Sequence, residues 1–171
     1  MPIKIIAVLI LGAASCVLLS RCLQGSGGDT LNGDLGSDVL NGNGGGDFSG
    51  LSAEGASFQS AELQRANFSG ATLSNADFEK AELGRASFDG ARLGGNSFVF
   101  ANLARADFSG ADITGALDFS NAYLFLMRIE GADLSAATGL AQSQIDIACG
   151  NAETKLPQGL SRPAKWPCAE D

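Results

Sequence analysis

This chain lacks several of the residues that enzyme chemistry uses. It contains no histidine, which removes the commonest general base and metal ligand. Serines are frequent, but none stands in a motif with a base that could activate it. Asp77 and Glu79 are near each other in sequence, yet both fall at positions expected on a solvated wall. An enzyme is not expected. What remains is spacing. Asp29, Asp38 and Asp47 recur every nine residues, each two after a glycine (Gly27, Gly36, Gly45), with Leu31 and Leu40 two beyond the first pair. Arg65, Arg85 and Arg105 recur every twenty, with Glu62 and Glu82 beside them. Four cysteines stand at Cys16, Cys22, Cys149 and Cys168. Regular spacing of polar side chains belongs to a repeating scaffold, so the scaffold has to be found first.

Residues 56–115 are twelve consecutive five-residue units, beginning ASFQS AELQR ANFSG ATLSN. The first position is Ala in every unit except Asn96. The third alternates Phe with an aliphatic residue: Phe58, Leu63, Phe68, Leu73, and so on to Phe108 and Ile113. Neither the helical period of 3.6 nor the strand period of 2 produces this pattern, and a fixed short repeat marks a solenoid. The stretch resembles the pentapeptide-repeat family, whose motif is A-(D/N)-L-x-x. The resemblance implies an all-β fold: a right-handed quadrilateral β-helix with one unit per side, followed here by a short C-terminal helix and an irregular tail. Four units would close a coil, so residues twenty apart should stack about 4.8 Å apart. That arrangement sets Phe48, Phe68, Phe88 and Phe108 in one ladder and Phe58, Phe78 and Phe98 opposite it. Leu63, Leu83 and Leu103 fill a third side, and Leu73, Leu93 and Ile113 the fourth. The Ala column points inward, and Gly70, Gly90, Gly95, Gly110 and Gly115 are expected at corners needing positive φ.

Ahead of the repeats, residues 1–22 carry an apolar run from Ile5 to Ser20 closed by Arg21 and Cys22. Its length is short for a membrane span and suits a signal-peptide core. Cleavage or lipidation at Cys16 or at Cys22, and an uncleaved anchor, are the alternatives. Export follows from each: periplasmic, envelope-attached or extracellular in a bacterium. Residues 23–50 are rich in Gly, Asn and Asp, and their nine-residue period resembles the RTX nonapeptide, G-G-x-G-x-D-x-L-x. That resemblance implies calcium held by Asp29, Asp38 and Asp47, with Asp29 and Asp47 one β-roll coil apart. The other reading is a flexible Gly-rich linker that caps the solenoid. No cofactor other than calcium is expected.

The pentapeptide register spans residues 46–136. It slips by one residue at Ala116-Leu117 and resumes with Phe119, Leu124, Ile129 and Leu134 at the core positions. About eighteen units make a rod of about 20 Å. Residues 137–171 read as a cap: a short helix over 141–149 ended by Gly150, then a tail whose Trp166, the single Trp, could plug the open end. With Cys16 and Cys22 in the export segment, Cys149 and Cys168 are left to pair in an oxidising compartment. Closing a loop of that size contributes about 3 kcal/mol in the entropy model.

Departures from the pattern cluster near the C-terminal end. Asn96 replaces the inward Ala, Val99 and Phe100 put apolar groups on the wall, and Phe125, Leu126 and Met127 do so one coil later. Contiguous apolar surface marks an interface. Val99, Phe100, Phe125 and Leu126 are therefore expected either to receive the chain's own tail, with Trp166, or to bind a protein partner or a second copy.

The function these readings imply is an exported, non-catalytic interaction or structural module of a bacterial envelope. A net charge of −8 invites a second reading, since some members of this family imitate DNA and protect a type II topoisomerase from quinolones. The arginine column interrupts any continuous negative face, and export would separate the protein from that target. Binding of nucleic acid itself is not expected. A calcium-binding surface protein is the third reading.

Overall fold

The computed structural model describes residues 45–168. Within them the backbone winds as a solenoid of parallel single-residue bridges. Asp47 pairs with Asn67, Ser52 with Thr72, Ser57 with Asp77 and Glu62 with Glu82, so four bridges close one coil of twenty residues. Each second-position residue makes both of its backbone bonds to the coil below. Asp77, for example, donates its amide to the Ala56 carbonyl below (2.8 Å), and its own carbonyl accepts the Phe58 amide (2.7 Å). Between bridges a turn forms in which the third-position carbonyl accepts the amide of the next Ala, as from Ala61 to Phe58 at 3.1 Å. Such four-residue turns place one residue where φ is often positive.

That corner residue is glycine at Gly70, Gly90 and Gly95. Gly110 and Gly115, expected to share the conformation, do not have positive φ. At Gly110 a Cβ would meet the tip of the exposed Asp89 carboxylate, which is free to swing aside, so neither φ nor space requires glycine there. More unexpectedly, nine corners hold side-chain-bearing residues at positive φ, among them Lys80, Arg65, Arg85, Arg105, Phe100 and Leu126. The ladder bonds on either side fix these corners despite a local cost of about 1–2 kcal/mol each.

The interior follows the alternation of Phe and aliphatic residues. In one ladder successive rings stack at 4.9 Å (Phe48 on Phe68) and 5.1 Å (Phe68 on Phe88), and Phe108 lies 4.5 Å from Phe88 with its plane tilted by 36°. In the other they stack at 4.8, 5.2 and 5.4 Å, from Phe58 through Phe78 and Phe98 to Phe119. The two ladders meet edge to face across the interior, at 5.9 Å for Phe68 and Phe78. This satisfies the ring quadrupole in both directions. Two coils later the short strands β1 (Arg92–Leu93) and β2 (Asp112–Ile113) pair in parallel, still twenty apart. The next bridge, Ser97 to Asp118, is twenty-one apart. The extra residue is absorbed between them, so Leu117 enters the core while Ile113 is only half-buried.

The solenoid also runs further than residue 136. Cys149 pairs with Arg128 and Lys155 with Asp133, and Ile145 and Ala148 are fully buried. The expected helix over 141–149 is only one turn, α1 (Gln142–Ile145). It ends early because the Leu126 amide takes the Ile147 carbonyl (2.7 Å) and the Cys149 amide reaches Met127 (2.8 Å), which pulls the chain back into the ladder.

Candidate interaction surface and the capped end

Three large apolar side chains are exposed among the described residues: Phe100 at 56%, Tyr123 at 51% and Phe125 at 40%. The ladder places them together. Phe100 occupies a corner in the column of Ser60, Lys80 and Asn121. Tyr123 and Phe125 are on the adjoining face one coil further on, where Tyr123 stacks over Asn102 and the Phe125 carbonyl accepts the Arg105 amide. The Tyr123 and Phe125 rings lie nearly parallel, 6.2 Å apart and 10° from coplanar. Val99 and Leu126 flank them, both half-buried. Met127, expected on the same surface, is fully buried as a core residue because the slipped register turns it inward. Tyr123 escaped the sequence reading, although it stands in a wall column otherwise made of Glu62, Glu82 and Asn102.

Asn96 is likewise interior. Its amide group donates to the carbonyls of Leu73 (2.6 Å) and Ala76 (3.0 Å) and accepts from the Gly94 amide (2.8 Å), so all of its bonding is internal. It holds the corner that the register slip distorts, and presents nothing to a partner.

The tail, as far as residue 168, makes no hydrogen bond to Phe100, Tyr123 or Phe125, whose side chains stay exposed. It closes the C-terminal end instead, where side-chain donors replace the coil that is missing. Ala66, Ala86, Ala106 and Met127 each offer a carbonyl to the coil above, taken by the amides of Ser87, Asp107, Arg128 and Cys149. Ala148 continues this column with no coil above it, and the Trp166 indole N–H donates to its carbonyl at 2.8 Å. Thr154 ends the column of Ala71, Ala91 and Ala132, and Arg162 donates to its carbonyl from Nη2 at 3.0 Å. Ala122 receives the Gln144 side chain at 2.8 Å. Trp166 also lies flat against Gly150, where a Cβ would stand 2.5 Å from the ring. A disulfide joins Cys149 to Cys168 and pins the segment that carries Arg162 and Trp166.

Charged groups are solvated and locally paired. Lys80 pairs with Glu79 (2.7 Å), Arg92 with Asp112 (3.4 Å), and Arg128 with Asp107 and Glu130 (3.5 and 3.6 Å). Glu82, beside the arginine column, accepts from the Asn102 amide group (2.7 Å). Lys155 and Asp133 pair at 2.8 Å across the last coil. The Lys155 ammonium, with the Ser135 hydroxyl and amide, lowers the Asp133 carboxyl to about 2. Of the proposed calcium ligands, Asp29 and Asp38 lie outside the described residues. Asp47 serves the solenoid wall, accepting from the Ser49 amide (3.0 Å) and the Asn67 amide group (3.2 Å). Among the described residues no group of three or more His, Cys, Asp or Glu is placed to hold a metal ion. The expected export segment, residues 1–22, also lies outside the described residues.

Comparison with known proteins decides what this scaffold is. Two sequence profiles described as pentapeptide repeats match, one over residues 53–102 and one over residues 86–126. A pentapeptide repeat protein from the thylakoid lumen of Arabidopsis thaliana is 32% identical, over 61% of this chain and 74% of its own, with a TM-score of 0.42. The chain belongs to the pentapeptide-repeat family. Two further solved members are more distant from this pentapeptide-repeat protein. HetL of the cyanobacterium Nostoc sp. strain PCC 7120, involved in heterocyst differentiation regulation, is 24% identical over 64% of this chain and 57% of its own (TM-score 0.26). QnrB1, a plasmid-mediated fluoroquinolone resistance protein, is 18% identical over 66% of this chain and 65% of its own (TM-score 0.31). All three superpose below 0.5, so family membership stands on the repeat sequence. No protein among the curated sequences matches the chain.

Proposed function

We propose that this protein is an exported, non-catalytic interaction module of a bacterial envelope, built as a right-handed quadrilateral β-helix. The observation that carries this reading is the exposed aromatic face of Phe100, Tyr123 and Phe125, edged by Val99 and Leu126 and left uncovered by the chain's own tail. An exposed aromatic cluster on a rigid flat wall is suited to docking another macromolecule, since aromatic anchors dominate interface energetics. Export rests on the apolar segment of residues 1–22 and is supported by the internal disulfide, which belongs to oxidising compartments. The combined variant Phe100→Ser, Tyr123→Ser, Phe125→Ser tests the reading. Because the rings are solvated, it should melt within a few degrees of the parent, yet lose the proteins recovered with the parent from envelope fractions of the host. Recovery of the same proteins by both, or of the chain itself in the cytosol, would overturn it.

The net charge of −8 favours a DNA-mimic inhibitor or protector of a type II topoisomerase only weakly, because Arg65, Arg85 and Arg105 stand exposed along one corner. Absence of any effect on gyrase supercoiling at micromolar protein would close that reading. Calcium binding by Asp29, Asp38 and Asp47 remains a separate proposal, tested by calorimetry at millimolar calcium, the range of extracellular sites.

A further inference from the structure

The wall that carries Tyr123 and Phe125 is patterned below them as well. Its second positions form the column Glu62, Glu82, Asn102 and Tyr123, each bridged to the next. The corner beyond them is the column Arg65, Arg85, Arg105 and Leu126, all at positive φ. The amides of Arg65, Arg85 and Arg105 donate to the carbonyls of Gly84, Ala104 and Phe125, which keeps the two columns side by side and level for level. Each of the first two levels therefore sets a glutamate across the wall from an arginine. The last level is apolar, with Tyr123, Phe125 and Leu126. Arg65 and Arg85 are exposed and take no part in the wall's own ion pairs among the described residues. Between the columns Gly84 and Ala104 keep the wall low.

We infer that this wall docks on the same wall of a second copy, as a parallel dimer whose two-fold axis runs along the solenoid. Such a dimer presupposes that the aromatic face is a docking surface, and it names the partner as the chain itself. An axis in that direction exchanges the two columns and preserves every level. Glu62 then faces Arg65 of the second copy, Glu82 faces its Arg85, and the reverse pairs form equally. That reciprocity is what an isologous contact demands. At the apolar level Tyr123 faces Leu126 of the second copy, and Phe125 meets its own counterpart near the axis. The other face-to-face two-fold, across the solenoid, would set each column against itself, acid on acid and base on base, which is penalised. Exposed ion pairs contribute little each, so the rings supply the affinity and the columns set the orientation. The net charge of −8 on each copy opposes association only weakly, because charges further apart than about 10 Å are screened at about 0.1 M salt.

The test uses the full chain with Cys16→Ser, Cys22→Ser and Gln64→Cys, because Gln64 is exposed and stands between the columns, beside the axis. A short bismaleimide should join two copies at position 64, in a yield that rises with protein concentration and then saturates. Adding Tyr123→Ser with Phe125→Ser should lower that yield by about tenfold or more. Glu62→Arg with Glu82→Arg makes both columns basic, and Arg65→Glu with Arg85→Glu makes both acidic. Either chain alone should cross-link at least about tenfold less than the parent, and an equal mixture of the two should recover the parental yield. Recovery also shows that both variants are folded. Parental yield from either charge variant alone would overturn the pairing of columns, and so would a mixture that fails to recover although both chains melt like the parent. A dimer in solution that does not cross-link at position 64 would overturn the parallel register. A parent that sediments as a monomer at every concentration would overturn the second copy as occupant, whether residues 1–44 or a different protein covers the wall. In that case the docking surface itself still stands or falls on the proteins recovered from envelope fractions.

Discussion

Asn96 shows how much one interior residue can decide. In its column every neighbour is a methyl or a leucyl group, and a carboxamide appears where the register is about to slip. Its side chain takes the Leu73 and Ala76 carbonyls and the Gly94 amide, and of these the Leu73 carbonyl also accepts the Ala76 amide (2.9 Å). Asn96→Ala restores the family's preferred residue but leaves the Ala76 carbonyl and the Gly94 amide without their side-chain partner, at about 1–3 kcal/mol for each one water cannot reach. The expected result is a loss of about 2 kcal/mol, read from urea unfolding. A neutral outcome would mean that the corner relaxes to the regular turn. Phe100 provides the opposite case. Its ring is solvated and its backbone sits at a φ of 57°. Phe100→Gly relieves left-handed strain and adds unfolded-state entropy, terms of opposite sign and about 1 kcal/mol each. Stability should change by less than about 1 kcal/mol, checked by the same unfolding curve. The sequence marked both residues as irregular and could not separate them. A departure from a repeat is visible in one dimension, but whether it points inward depends on where the extra residue is absorbed.

At the scale of the element, the C-terminal cap is where sequence and structure part most. Residues 137–171 lose the five-residue pattern, so the chain reads as leaving the solenoid, yet three of its columns continue through Ala148, Cys149 and Thr154. Irregular spacing, twenty-one and then twenty-two residues between bridges, hides this from any fixed period. The cysteines were legible because only two lie outside the apolar segment of residues 1–22. Trp166 was legible as a plug but not as a hydrogen-bond donor, since that role needs the carbonyl of Ala148 to be in place. Trp166→Phe keeps most of the ring and deletes the donor, so it should cost about 1 kcal/mol, the usual net value of such a bond. The Asp133–Lys155 pair adds a pH dependence to the same coil. Asp133 titrates near 2 when folded and near 3.9 in an unfolded chain. Between these values the unfolded state binds more protons, so the contribution is complete above about pH 4 and disappears as pH falls toward 2. Asp133→Asn should therefore lower the melting temperature at pH 6 and have almost no effect at pH 2. Equal effects at both would show that the pair is not the cause.

Across the whole molecule, the alternation of Phe with aliphatic residues carries more information than the five-residue period alone. Period five fixes a turn at every corner, but period ten decides which rings meet, because only an even number of units returns Phe to Phe. The coil closes at four units, so two ladders of parallel rings run through the interior and touch edge to face. Nearest-neighbour contacts between coils should then dominate stability, as in other stacked repeats. Two deletions separate this from a simple dependence on length. Removing residues 67–86 excises one complete coil and joins Ala66 to Ser87, so Phe88 takes the place of Phe68 over Phe48 and every column stays in register. Removing residues 67–71 excises a quarter as much chain but sets Leu73 over Phe48 and rotates all later units by one side. At that layer rings lie against aliphatic groups, their stacking is lost, and the junction carries voids and overpacking together. The shorter deletion should therefore be the more damaging, with the lower melting temperature despite the longer chain. If stability instead followed the number of residues retained, the ladders would be a consequence of the wall's hydrogen bonds and not what sets the register.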